Sequence, residues 1–182
     1  MGHDALLDFI NEAGKLKLIH RAGWVDSGVS EPESVADHSF RVALMAIVLA
    51  DSEELDTLKV VKMALLHDLA EAELGDLTPT QKRAIEKDFK NMENNAMNRL
   101  INKLPPNIQS SYWHTWLELK ENITPEARLV RDCDKLEMMI QASEYQATGG
   151  DRDKLMRFWQ AEIVGDKAKA IRDSVKARFR IP

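Results

Sequence analysis

Residues 60–71 read VVKMALLHDLAE. Val60, Val61, Ala64 and Leu65 recur at helical spacing, and the apolar run Met63 to Leu66 leads directly into His67, Asp68 and then Glu71. A helix therefore carries ionisable side chains straight out of a core, which is unfavourable unless something binds them. The same period holds on either side, in Leu6, Phe9 and Ile10 and again in Phe40, Val42, Leu44, Ile47 and Val48, while strand-like alternation is nearly absent. This pattern predicts an all-α fold, a single helical bundle with its polar cluster between core helices.

Caps and breakers set the helix limits. Ser34-Val35-Ala36-Asp37 has the spacing of a capping box and starts a helix that holds His38 in its early turns. A second helix is expected from Asp56 through His67 to about Glu71, ended by Gly75 and Pro79. A polar amphipathic helix follows over 80–103, Pro105 and Pro106 break it, and a Trp-rich helix covers about 107–120. Thr124 and Pro125 have the character of an N-cap and first turn, opening a long helix through Asp134 towards Tyr145 that Gly149 and Gly150 close. Two shorter helical pieces complete the chain. No repeat or linker divides residues 1–182, so one domain is expected.

Composition excludes several classes. Apolar residues make up 44% and charged residues 30% of 182, the balance of a folded globular protein. The net charge of -5 provides no general basic surface for a nucleic-acid backbone, so no nucleic-acid partner is expected. No run is long enough to span a bilayer, and acids interrupt Met1 to Asp8 too early for a leader pattern. The single cysteine, Cys133, fits a reducing compartment, and a cytoplasmic protein is expected.

His38, His67, Asp68 and Asp134 offer two imidazoles and two carboxylates, a complete ligand set for one divalent metal. Nitrogen and oxygen donors without thiolate suit Mn, Co, Fe, Ni or Zn. Glu71, one turn beyond the His-Asp pair, can reach the same pocket without being a ligand, and a carboxylate there is placed for proton transfer. Arg21 and Trp24 fall in an expected loop, where Gly23 permits a tight backbone; a guanidinium suits phosphate and an indole can wall off a sugar. Glu33 can line that pocket. Arg41, one turn after His38, is either a second phosphate contact or an ion-pair residue. Cys133 points away from Asp134 on a helix and reads as a buried thiol; Trp113, Trp116, Phe158 and Trp159 read as core or interface residues.

In order and approximate spacing, His38, His67-Asp68 and Asp134 resemble the H...HD...D signature of the HD-domain metal-dependent phosphohydrolases. The stretch 67–71 with Gly75-Asp76-Leu77 looks like the 5'-deoxynucleotidase branch, and Pro32 to His38 looks like the HD-domain-containing protein 2 group. The resemblance covers about residues 10–147, leaving helices over 151–180 as accessory. It implies release of the 5'-phosphate from deoxynucleoside or nucleoside 5'-monophosphates by metal-activated water. Glu71 would transfer the proton, Asp76 would be a second essential acid, and Arg21 and Trp24 would bind phosphate and shape the sugar pocket. Bacterial 5'-deoxynucleotidases have that Arg and Trp adjacent, whereas two residues separate them here, which bears on sugar discrimination. Members with two metals carry further histidines before the last Asp; this chain has only His114 there, read as a packing residue, so one metal is expected. Other readings are an HD phosphohydrolase for triphosphates or cyclic diesters, or a non-catalytic module binding metal and nucleotide. Related nucleotidases commonly pair, so a homodimer is expected.

Overall fold

The computed structural model describes residues 3–181. Helices run in the order α1 (His3–Gly14), α2 (Ala22–Asp26), α3 (Val35–Ser52), α4 (Thr57–Leu66), α5 (Glu71–Leu74), α6 (Pro79–Ala84), α7 (Glu86–Ile101), α8 (Pro106–Glu121), α9 (Pro125–Ala147), α10 (Arg152–Leu155) and α11 (Asp166–Phe179). Tighter 3-10 turns occupy Lys15–Leu18 and Met156–Gln160. The fold is all-α; among the described residues there is no strand, only an isolated backbone bridge between His20 and Ser34.

The anticipated caps form. Ser34 Oγ accepts from the Asp37 N–H while the Asp37 carboxylate accepts from the Ser34 N–H, so two otherwise orphaned donors are satisfied at the start of α3. Asp56 and Thr124 cap α4 and α9 in the simpler way, accepting from the N–H groups of Lys59 and Ala127, and Pro125 takes the first position of α9. These caps determine where His38, His67 and Asp134 fall along their helices.

Four expectations change. The helix expected to reach Glu71 stops at Leu66, and residues 67–70 turn with i→i+3 bonds such as Glu71 N–H to Asp68 O at 3.0 Å before α5 begins. In so tight a turn side chains three apart eclipse, which aligns Glu71 with Asp68 rather than with His67. The 80–103 helix divides at Ile85, whose φ of -125° and ψ of 28° leave the helical region and separate α6 from α7. Trp24 lies in the one-turn helix α2 with Arg21 as its N-cap residue, not in a loop, because the Asp76 carboxylate accepts from the Ala22 N–H at 2.7 Å and caps it. His114 is exposed on α8 with its ring beside Ser110 Oγ, so it does not pack in the core.

The core lies where α3, α4 and α9 meet. Val42, Ala46 and Ala50 of α3 pack with Val60, Met63 and Ala64 of α4 and with Val130 and Cys133 of α9, and Trp116 of α8 closes one side. The alanines let the backbones approach closely, and each buried Val or Met contributes about 1.5–3 kcal/mol. The C-terminal pieces pack on α9: Leu155 joins Trp24 and Ala142, while Ile163 and Ala168 join Leu136 and Met139. Gly150 makes the turn between them; a Cβ there would lie 2.8 Å from the Tyr145 carbonyl oxygen and 2.9 Å from Leu155 Cδ1.

Candidate metal centre and substrate cavity

Three core helices deliver the anticipated donors to one point. His38 Nε2 from α3 lies 3.2 Å from Asp134 Oδ1 on α9 and 3.3 Å from His67 Nε2 at the end of α4. Asp68 Oδ2 completes the cluster, 3.1 Å from His67 Nε2 and 3.7 Å from His38 Nε2. Ligands about 2.1 Å from one cation would be separated by about 3.0–3.4 Å in octahedral or tetrahedral arrangements, a range that the His38–Asp134, His38–His67 and His67–Asp68 separations match; His38, His67 and Asp134 form a group able to hold one divalent ion, with Asp68 beside it.

Both imidazoles are oriented for that purpose. His67 Nδ1 is 2.6 Å from the Ala64 carbonyl oxygen, which can only accept, so Nδ1 carries the proton and the Nε2 lone pair faces the cluster. His38 Nδ1 is 2.5 Å from Glu137 Oε2, which assigns its proton in the same way. The wholly buried Glu137 was not among the residues singled out in the sequence, although an acid three residues after Asp134, between apolar Leu136 and Met138, is the available signal. Glu33 and Glu137 form another possible metal grouping with His38, but there a proton between Nδ1 and Glu137 already satisfies the pair. Burial and the charge of Arg21 push the His38 pKa down; Asp134 and Glu137 outweigh them and push it up to about 10. The carboxylates thus favour a positive charge at His38, and a cation bound at the cluster would meet the same field.

Arg41, considered above as a phosphate contact, has its guanidinium occupied. It donates to Glu137 Oε1 at 2.7 and 2.9 Å, to both oxygens of Glu144 at 2.9 and 3.0 Å, and to Gln141 Oε1. It sits behind His38, on the Glu137 side. Glu33 accepts from Trp24 Nε1 at 2.8 Å; burial, and Glu137 beside it, push its carboxyl up to about 7.

Arg21 faces the other side of the cluster. Its Nη1 is 3.0 Å from Asp68 Oδ2, 3.6 Å from Asp76 Oδ1 and 3.8 Å from Glu71 Oε2. Burial works against the cation, but Asp68, Asp76 and Glu71 raise the Arg21 pKa further. Glu71 is buried, with Oε1 accepting from Lys82 Nζ at 3.2 Å and Oε2 lacking a hydrogen-bond partner. Burial, then the charges of Asp68 and Asp76, push its carboxyl well above the usual carboxylate range, while Lys82 and Arg21 oppose them. Cys133 is buried, and burial and Asp132 push its thiol up to about 12, so it is no nucleophile.

A family model described as HD domain matches residues 13–177. The chain belongs to the HD domain family. It is 42% identical over 147 residues to a Dictyostelium discoideum protein named 5'-deoxynucleotidase HDDC2, covering 77% of each chain. A Pyrococcus furiosus structure described as a conserved hypothetical protein superposes with a TM-score of 0.79 at 36% identity, covering 94% of this chain and 99% of that one. A Magnetospirillum magnetotacticum structure described as a predicted metal-dependent phosphohydrolase superposes with a TM-score of 0.71 at 27% identity, covering 97% and 94%.

Within this HD domain a cavity of about 310 Å³ runs outward from Asp68, Asp134 and Arg21. Trp24, Met138, Leu77 and Phe158 line its apolar part, and Arg157 stands beside them. The Trp24 and Phe158 rings are 4.0 Å apart, and Arg157 donates to the Gly23 carbonyl at 2.7 Å. A Cβ on Gly23 would lie 3.1 Å from the Phe158 ring, which accounts for glycine there. The segment expected to be accessory thus supplies a wall of the cavity. Lys82, Arg157 and Phe158 carry no local signal that ties them to the metal ligands, because long chain separations lie between them. Among the described residues no helix is long and apolar enough to cross a membrane.

Proposed function

We propose that this HD-domain protein is a metal-dependent phosphohydrolase that releases the 5'-phosphate of deoxynucleoside 5'-monophosphates, leaving a nucleoside and inorganic phosphate. The observation that carries this reading is the convergence of Asp68, Asp134 and the Arg21 guanidinium on one cavity, with His38 and His67 completing the donor group behind it and Glu71 Oε2, which has no hydrogen-bond partner, 3.8 Å from Arg21 Nη1. The name of the Dictyostelium relative supports the substrate class.

His38, His67, Asp68 and Asp134 would hold one divalent cation, and their nitrogen and oxygen donors suit Mn, Co, Fe, Ni or Zn. When bound, the cation supplies Lewis acidity to water and to the phosphoryl oxygens. Arg21 binds the phosphate and neutralises part of its charge. Asp76, hydrogen-bonded to the Ala22 N–H and facing Arg21, holds that guanidinium and α2 in place. As water adds to phosphorus and the P–O5' bond breaks, Glu71 delivers its proton to O5', and a proton brought in by the attacking water passes from the phosphate product back to Glu71. Trp24, fixed by Glu33, walls the sugar, and Phe158 and Met138 exclude water from the nucleoside end. Arg41 acts on the cage through Glu137 rather than on substrate.

Purified protein supplied with Mn or Co should release phosphate from deoxynucleoside monophosphates. Glu71→Ala should retain near-normal metal content yet lose about a hundredfold or more in turnover, the usual contribution of a positioned acid. The raised Glu71 pKa keeps the proton available above the ordinary carboxylate range, so wild-type kcat should fall as pH rises through that raised value. The Glu71→Ala profile should lack this alkaline limb. Metal-loaded wild type without phosphatase activity would sink the reading, and unchanged turnover in Glu71→Ala would remove Glu71 as donor.

A homodimer is proposed through the outer face of α3. Phe40, Leu44 and Val48 recur every four residues and are 70%, 51% and 60% exposed, a stripe that two antiparallel copies of α3 can interleave. Leu44→Asp should convert a sedimenting dimer to monomer; a wild-type monomer at micromolar concentration would exclude this. The single cysteine, free and buried, supports a reducing, cytoplasmic setting.

A further inference from the structure

We propose that the metal centre has a second opening, and that the cationic cleft there is a subsite for inorganic phosphate, by which the phosphate product leaves separately from the nucleoside. The inference rests on the phosphohydrolase reading for the source of the phosphate. A cleft of about 260 Å³ has three metal ligands in its wall, His67, Asp68 and Asp134, together with Lys82, Lys120 and Arg131. It shares Lys82, Phe89, Glu93, Lys120 and Arg131 with a wider cleft of about 610 Å³. The substrate cavity has only Asp68, Lys82 and Asp134 in common with the inner cleft, so the Lys82 side chain divides two ways out of one centre.

The lining chemistry differs sharply between the two. Trp24, Phe158, Met138 and Leu77 suit the substrate cavity to a nucleoside. The second cleft draws one cation from each of three helices, Lys82 from α6, Lys120 from α8 and Arg131 from α9, in a protein whose net charge is -5. Apart from the metal ligands, Glu93 is the one acid lining the inner cleft among the described residues, and Lys120 holds it at 2.7 Å. Lys82 is engaged by Glu71. Arg131 has no ion-pair or hydrogen-bond partner for its guanidinium among the described residues, and its place one turn before Asp134 puts it on the ligand-bearing face of α9. A free guanidinium beside two ammonium groups, with one aromatic wall at Phe89, selects a small oxyanion over a nucleoside.

The test uses the full, Mn-loaded chain with inorganic phosphate as inhibitor of deoxynucleoside monophosphate hydrolysis. Arg131 is exposed and unpartnered, so its substitution leaves the core untouched. Arg131→Glu should raise the phosphate inhibition constant about tenfold, equivalent to about 1.4 kcal/mol, with KM within about twofold and with Arg131→Lys close to wild type. An unchanged inhibition constant, or one that rises in parallel with KM as a general field effect would require, overturns the subsite. Should wild type hydrolyse nothing, the phosphohydrolase reading fails by itself. Calorimetric titration of phosphate into the same proteins then decides the subsite: weaker binding by Arg131→Glu supports it, equal binding overturns it.

Discussion

Arg21 and Arg41 are the same side chain placed on two sides of one histidine, and their surroundings give them different work. Arg41 is saturated: Glu137, Glu144 and Gln141 accept its donors, and through Glu137 it braces His38. Arg21 faces Asp68, Glu71 and Asp76 through a single nitrogen at 3.0–3.8 Å and borders an open cavity. One guanidinium completes a polar network in the structure; the other has donors left for a ligand. The difference lies in what the opposing helix presents. Glu137 and Glu144 on α9 meet Arg41, whereas the turn after α4 presents to Arg21 the Asp68 carboxylate, one of the proposed metal donors.

The largest effect that would sharpen this contrast is expected at Arg21. Arg21→Ala should lower kcat/KM about a hundredfold, mainly through KM, because a phosphate contact present in both ground and transition states is lost. Metal content, measured on the same protein, should stay near wild type. Arg21→Lys should recover only part, since an ammonium cannot reproduce the planar fork. A KM for deoxynucleoside monophosphate within about twofold of wild type would mean that phosphate is held elsewhere and that the two arginines are not distinguished by function.

How far this contrast was legible in the sequence follows chain distance. The helices around Ser34, Asp56 and Thr124 could be read because a cap and the N–H it satisfies lie within three residues. His38, His67, Asp68 and Asp134 were legible as a set because a ligand cluster has a recognisable composition and order, and the structure does bring them together. The breaks after Leu66 and at Ile85 were not, since both flanks keep helical periodicity and tertiary packing decides where the chain turns. Arg41 was ambiguous for the same reason: its partners lie about a hundred residues away on α9. Lys82 and Phe158, which border the cavity from α6 and from the segment after α10, had no sequence neighbour to mark them.

The smaller effect, and the finer test of the comparison, is expected at Arg41. Glu137 is wholly buried, and Arg41→Ala leaves His38 as its remaining charged partner. Breaking a fully buried pair typically destabilises by about 3–5 kcal/mol, but the Arg41 side chain is 28% exposed and water can reach the vacated space, so about 1–3 kcal/mol is expected in chemical denaturation. Looser orientation of His38 should weaken metal affinity about tenfold, the range found when a histidine's outer carboxylate partner is disturbed. At saturating metal, however, KM should remain near wild type, because the Arg41 guanidinium is committed to α9 and does not line the cavity. Measured side by side, Arg21→Ala should move KM without metal affinity, and Arg41→Ala metal affinity without KM. A large KM change in Arg41→Ala at saturating metal would return Arg41 to the substrate and end the distinction between the two sides of His38.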